Sequence, residues 1–184
     1  MSARLDAALR VRGTEHLRIA AVASAAGCGR LFVRQVCASW QIGQEPSEVA
    51  ELLASELITN AIVATWDMRA RSVRQLPDAN VEHIGIRLLA FDDSFVIEVW
   101  DSSPELPKLI ASSWEAEHGR GLQLVEALSI RWGYYHARFS GKVVWCQLAL
   151  PATAPAQRAT ADAEAFQRVL GTVQAHPWDG RAYL

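Results

Sequence analysis

Glu56 and Asn60 are two polar residues spaced one helical turn apart in an otherwise apolar stretch of the chain. Leu53 and Leu57 repeat at the same spacing, so both polar side chains fall in or beside the predicted inward stripe of a helix. A carboxylate is almost never fully buried without a partner. One interpretation is a rim glutamate beside a core asparagine that binds backbone. The other is a polar site, in which an amide oxygen and a carboxylate face a hard cation such as Mg²⁺.

Asp101 is the second candidate, because it ends a segment in which alternate residues are apolar. In a strand it would point to the same face as Phe95, Ile97 and Val99, toward the core. One interpretation is that Asp101 caps the following turn, which is a common role for an aspartate at a strand end. In the other, the buried carboxylate accepts a hydrogen bond from an amino group, for instance that of a purine.

Two glycines, Gly119 and Gly121, flank Arg120 just before a predicted helix that begins at Leu122. Glycines let the backbone approach a ligand closely, and a helix N-terminus presents free N–H groups to an anion. The segment is not a P-loop, because no Gly-Lys-Ser/Thr follows it. The glycines of the segment 27–29 are set aside as a Rossmann turn, because no strand is predicted before them.

The elements that must position these residues form one continuous α/β pattern. Helices are predicted at 29–40, 47–64 and 122–129, and strands at 84–90, 95–100, 130–137 and 143–150. Ser47 is expected to cap the second helix, with acidic residues in its first turn. Helices on one face of a mostly antiparallel sheet make an α+β two-layer sandwich. Residues 1–150 are predicted to form this domain, and 151–184 an Ala/Pro-rich tail with a helical segment after residue 161.

Composition restricts the function classes. The chain has 184 residues, 18 basic and 20 acidic, so its net charge of -2 lacks the basic footprint of a nucleic-acid-binding protein. No uninterrupted apolar run is long enough to span a membrane. Cys28, Cys37 and Cys146 do not have the spacing of a zinc site or a disulfide framework. We therefore expect a cytoplasmic protein without direct nucleic-acid or membrane contacts.

The three candidate sites, in this order and at these spacings, resemble a known set of motifs. Segment 56–61, Asp101 and segment 119–125 are similar to the N, G1 and G2 boxes of the GHKL ATP-binding superfamily. The chain is most similar to the bacterial anti-sigma-factor serine kinases and their stand-alone ATP-binding relatives. Segments 131–133 and 141–145 also resemble the closing strands of that group, so the resemblance extends over roughly residues 15–150. It implies a Bergerat-type ATP-binding fold, with ATP and Mg²⁺ as cofactors.

The resemblance also implies roles for single residues. Asn60 would hold Mg²⁺, Glu56 would act as the general base, and Asp101 would bind the adenine amino group. The remaining residues of the nucleotide site would be Ser103, Gly119, Arg120, Gly121 and Leu122, beneath a lid formed by 102–118.

One departure from the family pattern concerns the lid. The G1 box is usually Asp-x-Gly-x-Gly, whereas here Asp101 is followed by Ser102-Ser103-Pro104-Glu105. Because proline restricts its own backbone and that of the residue before it, this sequence predicts a stiffer lid base.

Two functions stay open. The first is a regulator that binds a sigma factor, an anti-sigma antagonist or both, and phosphorylates a serine or threonine of the antagonist during partner switching. The second is a catalytically weak protein-binding module that ATP only stabilises. The resemblance implies a homodimer in both. A transmitter histidine kinase is disfavoured, because no long dimerising helix pair with an acceptor histidine precedes the domain.

Overall fold

An antiparallel sheet with helices on one face makes up the described part of the chain. The computed structural model describes residues 11–71, 81–107 and 121–150. Within these ranges the elements are, in chain order, β1 (Gly13–Ala20), α1 (Ala25–Ser39), α2 (Gln44–Arg71), β2 (His83–Ala90), β3 (Ser94–Asp101), α3 (Gly121–Leu128), β4 (Arg131–His136) and β5 (Lys142–Ala149). The α+β sandwich predicted from the sequence is confirmed.

The sheet has the order β1-β2-β3-β5-β4, and all neighbouring strands are antiparallel. Its register places Ile86 opposite Leu17 and Val99, and Val99 opposite Val144. In each of these strands every second side chain points to the same face of the sheet, the inner face, and most of these side chains are apolar. That face and the helices enclose the main hydrophobic core.

Helix α2 is the central helix of the domain. It packs against α1, α3 and the strands β2, β3 and β5. Leu53 and Leu57 are at most 1% exposed, as their place on the predicted inward stripe requires, and Ile58 is also fully buried. By length and composition alone α2 could cross a membrane, but half of its most apolar 18-residue window is buried inside the domain, as in a core helix.

The start of α2 differs from the prediction. The helix begins at Gln44 instead of Ser47 and extends to Arg71 instead of Ala64. The backbone N–H of Ser47 donates to the carbonyl of Gly43 at 3.1 Å, so Ser47 lies inside the first turn and is not the N-cap. Pro46 does not prevent the earlier start, because proline lacks only an N–H that has no partner in the first turn.

Strand β1 was missed by the sequence analysis. It is an edge strand with exposed Thr14, Glu15 and His16, and this polar composition hides its alternation. A strand therefore does precede the glycines of 27–29, contrary to the reason given for setting them aside. These glycines lie inside α1, and the sheet is antiparallel, so a Rossmann turn is still excluded.

The face of the sheet opposite the helices, which we call the outer face, is also buried. Leu89 and Val96 are 0% exposed, and Trp145 is 3% exposed. They form a second apolar cluster with Phe91, against which Val11 packs. A two-layer sandwich ordinarily leaves this side of an antiparallel sheet to water.

The outer face also contains a buried ion pair between Arg87 and Glu98, both of which are 0% exposed. The hydroxyl of Tyr135 donates to Oε1 of Glu98 at 3.2 Å. Burial raises the pKa of the Glu98 carboxyl, and the Arg87 guanidinium opposes that shift. Two opposite charges fully removed from water need such close pairing.

Candidate functional site

The first part of the site is the corner between α2 and the start of α3. Glu56 extends from α2 to Gly121, the first residue of α3. A Cβ atom added to Gly121 would lie only 2.4 Å from Oε2 of Glu56. The Glu56 carboxylate thus occupies the space that a side chain at position 121 would need, which explains why this residue is a glycine. A negative charge beside the N-terminus of a helix is also stabilised by the helix dipole.

Asn60 lies one turn after Glu56 on the same helix. Its Nδ2 atom is buried and has no hydrogen-bond partner among the residues that the structure describes. A buried amide without a partner is costly and needs a reason. A ligand that approaches this corner would supply the partner, and rotation of the amide would present its oxygen to a cation.

The second part of the site lies at the ends of β3 and β5. Asp101 is 1% exposed, and its Oδ1 accepts from the Ser103 N–H at 2.9 Å and from Nζ of Lys142 at 2.8 Å. Nζ of Lys142 also lies 3.4 Å from the carbonyl oxygen of Ser103. Asp101 therefore does cap the following turn, as one sequence interpretation held, and it forms a buried ion pair as well.

Electrostatics at this corner depend on the ion pair. Burial raises the pKa of the Asp101 carboxyl, whereas the Lys142 ammonium and the Ser103 N–H act to lower it. Lys142 is 3% exposed and shares the inner face with Val144 and Cys146. The sequence analysis missed Lys142, although its parity with these apolar residues was a signal that it points inward.

The β4–β5 turn packs closely against the end of β3. Gly141 has φ +76°, and a Cβ atom added to it would lie 1.9 Å from the backbone oxygen of Asp101. We expect Gly141→Ala to lower the free energy of unfolding by more than about 1 kcal/mol. Urea unfolding measures this, with Gly27→Ala in α1 as the control, because a Cβ atom at Gly27 would meet only the Arg30 side chain, at an ordinary contact distance of 3.9 Å. Equal unfolding midpoints for Gly141→Ala and the wild type would contradict the prediction.

The structure brings the predicted residues together in these two groups. Gly121 and Leu122 are buried in the first turn of α3, and Ser103 lies in the turn that Asp101 caps. Gly119, Arg120 and the lid residues 108–118 lie outside the described residues. The described ranges contain no cluster of three His, Cys, Asp or Glu side chains that could hold a metal. A cation at Asn60 would thus need oxygens from phosphate or water, as Mg²⁺ commonly has.

Comparison with known proteins gives the fold class first. The antiparallel sheet with three helices on one face, within the described residues, is an α+β sandwich. The chain is similar to the crystal structure of the RsbU and RsbW domains of Rv1364c from Mycobacterium tuberculosis, with a TM-score of 0.51 and 18% identity. The match covers 76% of this chain and 34% of that one, so this chain corresponds to about a third of that chain's length. No family model and no curated protein matches the chain.

Proposed function

We propose that this protein binds ATP with Mg²⁺ between α2 and α3 and regulates a partner protein in a nucleotide-dependent way. The observation that carries the proposal is the buried amide of Asn60, which has no hydrogen-bond partner in the described residues. One turn away the Glu56 carboxylate meets the start of α3 at a residue without a side chain. The corner thus combines oxygens for a hard cation with a helix N-terminus for phosphate.

Each residue of this corner would have a separate role in nucleotide binding and phosphate transfer. Asn60 would offer its amide oxygen to Mg²⁺, and the free N–H groups of α3 would bind phosphate oxygens. Bound Mg²⁺ supplies neutralisation of the phosphate charge, the main electrostatic requirement of phosphoryl transfer. Glu56 would accept the proton of the attacking hydroxyl or water. The absence of a Cβ at Gly121 leaves the carboxylate room beside the helix.

Asp101 would recognise the adenine amino group in this proposal. The hydrogen bonds that the carboxylate makes to Ser103 and Lys142 are both to Oδ1. We therefore propose Oδ2 as the acceptor for the amino group, with Lys142 holding the carboxylate ionised. The Asp101 carboxylate, held in a fixed orientation, would then select adenine over other nucleobases.

The partner is proposed from the fold similarity. An RsbW domain is an anti-sigma-factor kinase of the GHKL type, which supports a partner-switching regulator at a coarse level. We propose a sigma factor, an anti-sigma antagonist or both as the partners, and a homodimer as the assembly. Two functions are compatible with this nucleotide site. In one, the protein is a serine/threonine kinase that phosphorylates the antagonist; in the other, it is a protein-binding module that ATP only stabilises. Phosphate transfer to a purified antagonist separates the two.

Asn60→Ala tests the nucleotide site directly. We expect the variant to bind MgATP at least about tenfold more weakly, because it removes one contact of a polar group with a charged one. Titration calorimetry on the full chain measures the affinity. Thr59→Ala is the matched control, since Thr59 is the neighbouring exposed residue and its hydroxyl donates to the Ser55 carbonyl of the same helix. Equal affinity of Asn60→Ala and the wild type would remove Asn60 from the site.

A further inference from the structure

Lys142 is a buried cation whose hydrogen-bonding capacity is only partly used. It is the first residue of β5 and is 3% exposed. Nζ donates to Oδ1 of Asp101 at 2.8 Å and to the carbonyl oxygen of Ser103 at 3.4 Å. An ammonium has three N–H donors and no acceptor. The described residues therefore engage two of these donors and leave the third for another partner.

Asp101 offers an acceptor beside this donor. The hydrogen bonds that its carboxylate accepts from Ser103 and Lys142 both go to Oδ1. Oδ2, the oxygen proposed above for the adenine amino group, belongs to the same carboxylate. The ion pair thus places a donor and an acceptor side by side. A buried donor without a partner costs free energy, and a ligand that supplies an acceptor recovers it.

The backbone holds the two side chains in register. Asp101 and Lys142 are directly opposite each other in the antiparallel pair of β3 and β5. Gly141 approaches Asp101 so closely that a Cβ atom at position 141 would lie 1.9 Å from the Asp101 backbone oxygen. The ammonium and the carboxylate are therefore ordered before a ligand arrives, and binding does not carry the entropic cost of ordering them.

We propose that Lys142 is a second specificity-determining residue of the nucleotide site and donates its remaining N–H to the ring nitrogen N1 of adenine. The inference rests on the proposed function and extends it from one polar contact with the base to two. Adenine carries a donor, its amino group, next to an acceptor, N1. Oδ2 of Asp101 and Nζ of Lys142 form the complementary acceptor and donor.

The same ion pair rejects guanine. In the orientation proposed for adenine, guanine places its O6 oxygen against the Asp101 carboxylate and its N1–H against the Lys142 ammonium. An acceptor then faces an acceptor, and a donor faces a donor. A site that is built to hydrogen-bond one ligand rejects an analogue that leaves its buried polar groups unpaired. Discrimination against GTP therefore depends on Lys142 as well as on Asp101.

Nucleotide analogues test the inference on the unaltered full chain. In 1-deaza-ATP a C–H group replaces N1, so this acceptor is lost while the amino group and the phosphates stay. We expect 1-deaza-ATP to bind at least about tenfold more weakly than ATP in titration calorimetry with Mg²⁺, because a hydrogen bond to a charged group is lost. The matched control is 3-deaza-ATP, which carries the same replacement at a ring nitrogen away from the amino group and should bind as ATP does.

Lys142→Met shows whether Lys142 is the donor to N1. The variant lacks the ammonium, so ATP and 1-deaza-ATP should bind to it with equal affinity, whatever the overall loss of affinity. Arg34→Met removes an exposed cation of α1 and should keep the preference of the wild type for ATP. Because Lys142→Met leaves the Asp101 carboxylate buried without its cation, the variant is destabilised. The analogue comparison in the wild type is decisive without it.

Each result decides between the inference and its alternatives. Equal affinities of the wild type for ATP and 1-deaza-ATP would overturn the inference and leave the proposed function intact. A preference for ATP over 1-deaza-ATP that survives Lys142→Met would overturn it too, because another group would then contact N1. Tighter binding of GTP than of ATP would contradict the assigned donor and acceptor. Failure of all these nucleotides to bind would contradict the proposed function itself, and the inference with it.

Discussion

Lys142→Met is expected to lower the free energy of unfolding by about 3–5 kcal/mol, because it leaves the Asp101 carboxylate buried without its cation. Both partners of this pair are nearly inaccessible, and Nζ of Lys142 lies 2.8 Å from Oδ1 of Asp101. Urea unfolding measures the change.

Arg34→Met is the control for Lys142→Met. The guanidinium of Arg34 pairs with Glu51 at 2.6 Å, but the Arg34 side chain is 63% exposed, so its loss should cost less than about 1 kcal/mol. A second variant, Lys142→Met with Asp101→Leu, removes both charges and should recover much of the lost stability. A single Lys142→Met variant as stable as the wild type would show that the pair does not stabilise the domain.

Glu56→Gln is expected to lower phosphate transfer, or ATP hydrolysis, by about 10²–10⁴-fold while ATP binding stays unchanged. The amide keeps the shape of the carboxylate beside Gly121 but cannot accept the proton. The measurement is phosphorylation of a purified antagonist, with nucleotide affinity determined on the same samples.

Glu51→Gln serves as the control for Glu56→Gln. It lies on the same helix, and its carboxylate pairs with Arg34 of α1 instead of extending to Gly121. Equal turnover of Glu56→Gln and the wild type would exclude Glu56 as the base. Absence of turnover in the wild type, with ATP still bound, would favour the module that ATP only stabilises.

Most of the fold could be predicted from local patterns. The β2–β3 hairpin and helix α2 carry their hydrophobic period in the sequence. The two strands lie within one residue of their predicted bounds, whereas α2 is present but longer than predicted at both ends. Leu53 and Leu57 placed Glu56 and Asn60 beside the core correctly, because one helical period determines all four positions. The contact between Glu56 and Gly121 joins elements that are distant in the sequence, and no local pattern predicts it. The resemblance implied only that both residues belong to a nucleotide site.

Other features could not be predicted, because tertiary pairing decides them. Edge strand β1 has mixed polar residues, so only its pairing with β2 makes it a strand. Lys142 is a single lysine at a strand end, and a single sequence does not reveal that it lies opposite Asp101. The start of α2 was misplaced because Ser47 has the sequence signature of a cap, whereas the backbone of Gly43 makes the first bond.

The strand order has a consequence for the local motion of the site. Strands β2, β3 and β5 are each paired on both sides, while β1 and β4 are edges. Amide protons of the central strands should therefore exchange with solvent mainly through global unfolding, whereas those of the edges exchange through fraying. Asp101 and Lys142 stand at the ends of two central strands and share that slow regime. In the proposed nucleotide site, the ends of β3 and β5 would therefore stay rigid on the timescale of binding. Adaptation to different ligands would come from movement of α2 and α3.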